Sequence, residues 1–175
     1  MAGSEYWRPL LERLRLAPPE HARSAQAKPD LVWPIEYRGA YNERRRDCIL
    51  QLFKATGVAR GDHAAADRQR LENFRFFGAP HVALITTEGQ LGVYGAIDCG
   101  AYVNNFTLAA LALGVASIAQ AALAAYPDFW RQQLGLPSDR PIVCGISFGF
   151  EDPSHPANHF RTSRAAVSQV AAWME

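Results

Sequence analysis

The run DCGAYVNNFTLAALAL, from Asp98 to Leu113, constrains this chain more than any other stretch. It reads as a helix, yet its apolar residues occur nearly all round the helical projection rather than along one stripe. Such a helix is too apolar to face solvent on any side, so it belongs at the centre of the fold and partly in a subunit contact. Gly100, Ala101, Ala109, Ala110 and Ala112 carry little bulk and let another helix approach closely. A single domain of 175 residues has limited core with which to cover that surface. A homodimer with a large apolar interface is therefore expected.

The remaining segments read as a mixture of helices and strands. Tyr6, Trp7, Leu10, Leu11 and Leu14 recur at helical spacing, and Pro18 and Pro19 are expected to end that helix. Residues 17–40 are polar and punctuated by proline, which predicts an extended excursion over the surface. Tyr41 to Thr56 reads as a helix closed by Gly57, with Ile49, Leu52 and Phe53 inward and Glu43, Arg44 and Arg46 outward. Asp62 is a good N-cap for a helix running towards Phe76, broken by Gly78-Ala79-Pro80. Strands are expected over His81–Thr87, Val115–Gln120 and, most strongly, Ile142–Phe150. Pro127 to Leu134 suits a short helix stopped by Gly135, and beyond Glu151 come a loop with two prolines and an amphipathic tail. Without regular βαβ alternation the class is α+β, in one domain spanning 1–175.

Composition removes several functions. Apolar residues make up 49%, charged residues 20%, and the net charge is +1. A nucleic-acid surface needs a concentrated basic excess, so no nucleic-acid partner is expected. No run approaches the roughly 20 apolar residues of a membrane span, so no membrane partner is expected. The opening MAGSEYWRPLLERLRL has no apolar secretory core, and a cytoplasmic protein is the expectation. Cys48, Cys99 and Cys144 show neither a metal nor a disulfide pattern. His155 and His159 have i, i+4 spacing, but Pro156 between them precludes a regular helix, and no metal is expected. No phosphate-binding glycine motif and no nucleophile-elbow serine is present.

What remains is basic. Arg161, Ser163 and Arg164 lie within four residues, and two guanidiniums with a hydroxyl can bracket a phosphate through charge-assisted bonds. Spacing alone leaves a surface pair equally open. Tyr37, Arg38 and Tyr41 suit the mouth of a pocket, or equally a surface loop, whereas Arg44-Arg45-Arg46 reads first as a solvated face.

The order of three segments adds a resemblance. GAPHVALITT, then DCGAYVNNFTLAALALGVASI, then CGISFGFEDPSHPANHFRTSRAAVSQV resemble the nitroreductase family, over roughly residues 70–170. The resemblance implies an antiparallel sheet flanked by helices around a central apolar helix, in an interlocked homodimer. It implies FMN as cofactor, NADH or NADPH as hydride donor, and a nitroaromatic, quinone or similar acceptor. It further implies that Arg161 and Arg164, with Ser163, grip the FMN phosphate. The backbone of Ser117, Ile118, Ala119, Gln120 and Ala121 would face the flavin ring, and Tyr94 would join Tyr37, Arg38 and Tyr41 around the acceptor. The family's N-terminal Arg-Arg-Ser-x-Arg and Pro-Ser-x-x-Asn-x-Gln-Pro-Trp elements have no counterpart here. A chain so truncated is expected to hold flavin weakly, and a non-catalytic dimer is the alternative.

Overall fold

The computed structural model describes residues 17–174, so the helix expected over residues 6–16 lies outside the described residues. In chain order the main elements are α1 (helical residues 17–24), α2 (Gly39–Thr56), α3 (His63–Leu71), β1 (His81–Thr86), α4 (Gly92–Ala112), β2 (Ala116–Gln120), α5 (Pro127–Leu134) and β3 (Ile142–Gly149), with short 3-10 turns between them. Two compact units result. The first contains the chain up to Ile35 together with Ala66–Glu151, and the second contains Glu36–Ala65 with the chain from Asp152 onward.

The first unit is built on a three-stranded antiparallel sheet in the order β1-β3-β2. β3 is the last strand in sequence and the middle one in space. Side chains alternate across a sheet, and the two faces of β1 illustrate it. Val82 and Leu84 pack against a core of Leu71, Phe74, Phe76, Leu123, Trp130 and Ile142. Ala83 and Ile85 face the opposite way, towards Cys99, Val103 and Phe106 of α4. The register jumps between Ile85 and Thr86, which pair with Cys144 and Ile142. The extra residue in β3 is a bulge, and it places Ile142 in the first core while Cys144 and Ile146 stay on the α4 side.

Two glycines allow the close approaches this packing needs. A Cβ on Gly145 of β3 would lie 2.3 Å from Leu123 Cδ1, inside the first core. A Cβ on Gly95 would lie 2.3 Å from Thr87 Oγ1, so glycine there lets the first turns of α4 pass against the end of β1. That contact explains why α4 begins at Gly92 rather than at Asp98. A glycine inside a helix is ordinarily unfavourable, and here Gly95 is a tertiary packing position. Leading into β1, Phe76 and Phe77 adopt left-handed φ values of 58° and 50°, followed by Gly78 at 75°. Burial of the Phe76 ring beside Trp130 offsets strain that a non-glycine residue rarely bears.

Pro18 and Pro19 lie within the helical residues 17–24. Proline's fixed φ is itself helical, and burial of Pro18 and Ala22 ties α1 to the core. His21 packs on Tyr126 and Phe129, and the Tyr126 hydroxyl donates to the Ala22 carbonyl over 3.3 Å. Further along, Lys28 N–H donates to the Ala125 carbonyl (2.9 Å). Asp30 Oδ2 accepts from Arg131 Nη2 (2.6 Å) and from the backbone N–H of Ile142 (2.9 Å), the first residue of β3. The stretch expected as a surface excursion is thus helical in its first third and pinned to α5 and β3 by one carboxylate.

In the second unit α2 has no fully buried residue, and Ile49, Leu52 and Phe53 are its half-buried face as its spacing predicts. Gly57, left-handed at φ 72°, closes it. Asp62 Oδ1 accepts from Ala65 N–H at 2.8 Å, the expected N-cap bond of α3.

Candidate functional site

The strand β2 is the first element of the candidate site. It pairs with β3 on one side only, with Ser117 opposite Phe148, Ile118 opposite Ser147 and Gln120 opposite Gly145. As an edge strand it presents alternate backbone N–H and C=O groups that the sheet does not use. Ile118 is 44% exposed, and Ala119 and Ala121 are exposed as well. Small side chains at 119 and 121 leave the backbone open to a flat ligand.

Gln120 differs from its neighbours: it is only 3% exposed. Its Oε1 accepts from the hydroxyl of Ser147, which is 1% exposed. Its Nε2 donates to the backbone carbonyl of Asn73 (2.9 Å) and, at 3.3 Å, to Asn73 Oδ1. Asn73 Nδ2 in turn donates to the Arg70 carbonyl (3.1 Å). Asn73 and Ser147 were not singled out by spacing; the only signal was a hydroxyl in the middle of an otherwise apolar strand.

The loop that carries Arg161, Ser163 and Arg164 belongs to the second unit. A turn organises its approach. Asp152 accepts from the N–H and hydroxyl of Ser154 (2.8 and 2.7 Å), which, ahead of burial's opposing effect, holds its carboxyl below the usual range. Asn158 Nδ2 closes back on the Asp152 carbonyl at 2.9 Å. Arg161 Nη1 donates to the carbonyls of Asn158 (2.7 Å) and Phe160 (2.9 Å). Arg164 Nη1 donates to Thr162 Oγ1 (2.6 Å) and Ser163 O (3.2 Å). All three residues are exposed. The structure therefore presents two guanidiniums within one short loop, each steadied by local oxygens.

Tyr37, Arg38 and Tyr41 come together around the start of α2. Arg38 occupies the N-cap position in extended conformation and pairs with Glu36. Arg45 lies over the Tyr37 ring and Arg44 over the Tyr41 ring, at 5.6 and 5.9 Å. Two members of the arginine triplet thus stack on tyrosines rather than standing free. Tyr94 stands on the first turn of α4, 77% exposed. Near it, an open cavity of about 410 Å³ lies between β1 and α4, lined among others by Thr86, Thr87, Asp98, Cys99 and Tyr102. The outward side of α4 is strongly apolar, with Val93, Ile97, Leu108 and Leu111 all exposed. The helix expected at the centre of the fold is covered on one face only. Among the described residues no group of His, Cys, Asp or Glu side chains is arranged to hold a metal ion.

Comparison with known proteins fits this arrangement. The chain is 37% identical over 134 residues to the nitroreductase NfnB of Mycolicibacterium smegmatis, an overlap covering 77% of this chain and 57% of that protein. It is 32% identical over 142 residues to a 4-nitrobenzoate reductase of Nocardioides sp., covering 81% and 58%. The chain thus spans a little over half the length of these relatives. Among solved structures, the FMN-dependent nitroreductase NfnB from Mycobacterium smegmatis in complex with NADPH superposes on all of this chain and 77% of its own, with a TM-score of 0.89 and 31% identity. The α+β class and the helix-flanked antiparallel sheet are those of that structure. A family model described as the nitroreductase family matches residues 11–150, and with these relatives it shows that the chain belongs to the nitroreductase family.

Proposed function

We propose that this chain is an FMN-dependent oxidoreductase that passes a hydride from NADH or NADPH to a nitroaromatic, quinone or similar small acceptor, as a homodimer in the cytoplasm. The observation that carries the reading is the unpaired edge of β2, exposed at Ile118 and Ala119 and followed by the exposed Ala121. Its support from relatives is that the similar proteins are named as nitroreductases, one of them FMN-dependent and solved with NADPH.

Each of the two units holds groups of a kind the cofactor needs. A phosphate monoester is recognised best by guanidiniums, and Arg161 and Arg164, with Ser163 between them, supply two. A flat heteroaromatic ring needs a surface without bulk and with backbone hydrogen bonds, which 117–121 supplies. FMN, when bound, would supply the redox chemistry of hydride uptake and delivery. The chain's own task is to bind, orient and hold one ring edge. A backbone N–H of the 117–121 segment is assigned the position near flavin N5. Tyr94, Tyr37, Arg38 and Tyr41 are assigned to the acceptor. A homodimer gives the apolar outward face of α4 a partner. Among the described residues no helix is long and apolar enough to cross a membrane.

Titrating FMN and riboflavin into the protein and into Arg164→Ala tests the reading. FMN binding should weaken by about 1.5–3 kcal/mol in the variant, the worth of a hydrogen bond to a charged group. Riboflavin, which lacks the phosphate, should be nearly indifferent. Equal losses for both ligands would show that Arg164 acts through the fold.

A further inference from the structure

A carboxamide buried in an apolar core is costly unless every polar atom it brings is bonded. Gln120 meets that condition through three bonds to residues far away in sequence: Ser147 on β3, and two to Asn73 in the 3-10 turn that follows α3. The geometry of the sheet makes the clamp specific. Gln120 lies opposite Gly145, and Ser147 lies opposite Ile118, so the Gln120–Ser147 bond runs diagonally across the β2–β3 pair. The bonds to Asn73 attach the same side chain to a third element. The end of an edge strand is ordinarily free to fray or twist; here the side chain of its last residue is tied to two other elements. The exposed backbone of Ile118 and Ala119 is immediately upstream.

We propose that Gln120 is a positioning residue for hydride transfer: its side chain, clamped by Ser147 and Asn73, holds the β2 backbone edge at the angle from which it hydrogen-bonds the flavin. The inference rests on the reading that 117–121 faces the ring, and it adds that the side chain at 120 works inward while the neighbouring backbone works outward. A backbone donor meant for an atom whose electron density changes during reduction must be fixed before the reaction, because alignment errors of about an ångström cost up to a hundredfold in rate.

The test compares the full chain with Gln120→Leu and Ser147→Ala, using Ile142→Val as a control that loosens the same core away from β2. Four readouts apply: amide hydrogen exchange of 117–120 without flavin, FMN affinity, the visible absorption band of bound FMN, and the rate of flavin reduction at saturating NADPH. Expected for Gln120→Leu are faster exchange confined to β2, a displaced absorption band and a reduction rate lower by about tenfold or more, with KM for NADPH within about twofold. Ser147→Ala should move the same readouts in the same direction by less, and it decides the matter alone if Gln120→Leu fails to fold. The control should leave the band and rate unchanged. Variants that bind FMN with an unaltered band and rate would overturn the inference while leaving the flavin reading intact. A parent chain with no FMN binding would overturn both.

Discussion

Replacing Asp30 with alanine removes the carboxylate that ties the stretch after α1 to the rest of the first unit. Asp30 Oδ2 bonds both Arg131 Nη2 (2.6 Å) and the N–H of Ile142 (2.9 Å), and the two ionic side chains are 19% and 16% exposed. Bonds of this type contribute about 1.5–3 kcal/mol when one partner is charged. Breaking a fully buried pair costs about 3–5 kcal/mol, but this pair retains some solvent, and Asp128 still neutralises Arg131 at 3.0 Å. The guanidinium stays charged whatever the working pH, because the bond to Asp30 raises its pKa further, against the opposing effect of burial. Its Nε already lacks a partner, and Nη2 would retain only the longer bond to the Arg140 carbonyl (3.4 Å). The expected loss is about 2–3 kcal/mol, or roughly 4–12 °C in Tm for a chain of this size. Asp30→Asn keeps an acceptor for Ile142 and should lose about half as much. Urea unfolding measures this: the midpoint should fall while the m-value holds. A shift within about 0.5 kcal/mol, the range of ordinary surface substitutions, would refute the claim that Asp30 anchors β3.

Three further outcomes are expected. Gly145→Ala sets a Cβ 2.3 Å from the fully buried Leu123; it should cost about 1–3 kcal/mol by overpacking, and less in a Leu123→Ala background. Additive losses in that double-mutant cycle would show that the clash is relieved elsewhere. Burial, followed by the neighbouring Cys99, pushes the Cys144 thiol above its ordinary pKa, whereas Cys48 is exposed. Raised pKa means less thiolate at any given pH, so iodoacetamide at pH 8 should modify Cys48 about tenfold faster or more than Cys144, and equal rates would contradict the burial argument. Light scattering at micromolar concentration should give the mass of a dimer, and Leu108→Asp with Leu111→Asp should give a monomer. A monomeric parent chain would refute the assignment of the α4 face.

Elements with a local signature were legible from spacing alone. α5 ends where Gly135 stops it, Gly57 closes α2, and the three strands fall within a residue or so of the expected bounds. Three features were decided by tertiary contact instead. α4 starts early because Gly95 allows its close contact with the end of β1. α1 includes Pro18 and Pro19, whose fixed φ is helical and which are both buried. The Gln120 clamp joins residues 47 and 27 positions apart, a distance no local pattern reports. The arginine pair was visible as composition, but its tethering to Thr162 and to backbone carbonyls depends on loop conformation.

The placement of β3 also governs how the chain acquires its structure. β1 and β2 never pair with each other; both wait for Ile142–Gly149 to insert between them. Until that segment leaves the ribosome, two short strands with unpaired edges and one apolar helix stand without a sheet. Closing such non-local pairings is slow, since the loop entropy is lost before any contact compensates it. A nascent chain stalled before residue 142 would expose strand edges open to intermolecular pairing. Synthesis rate and chaperone supply, more than the final stability of the fold, should then set the yield of this protein in a cell.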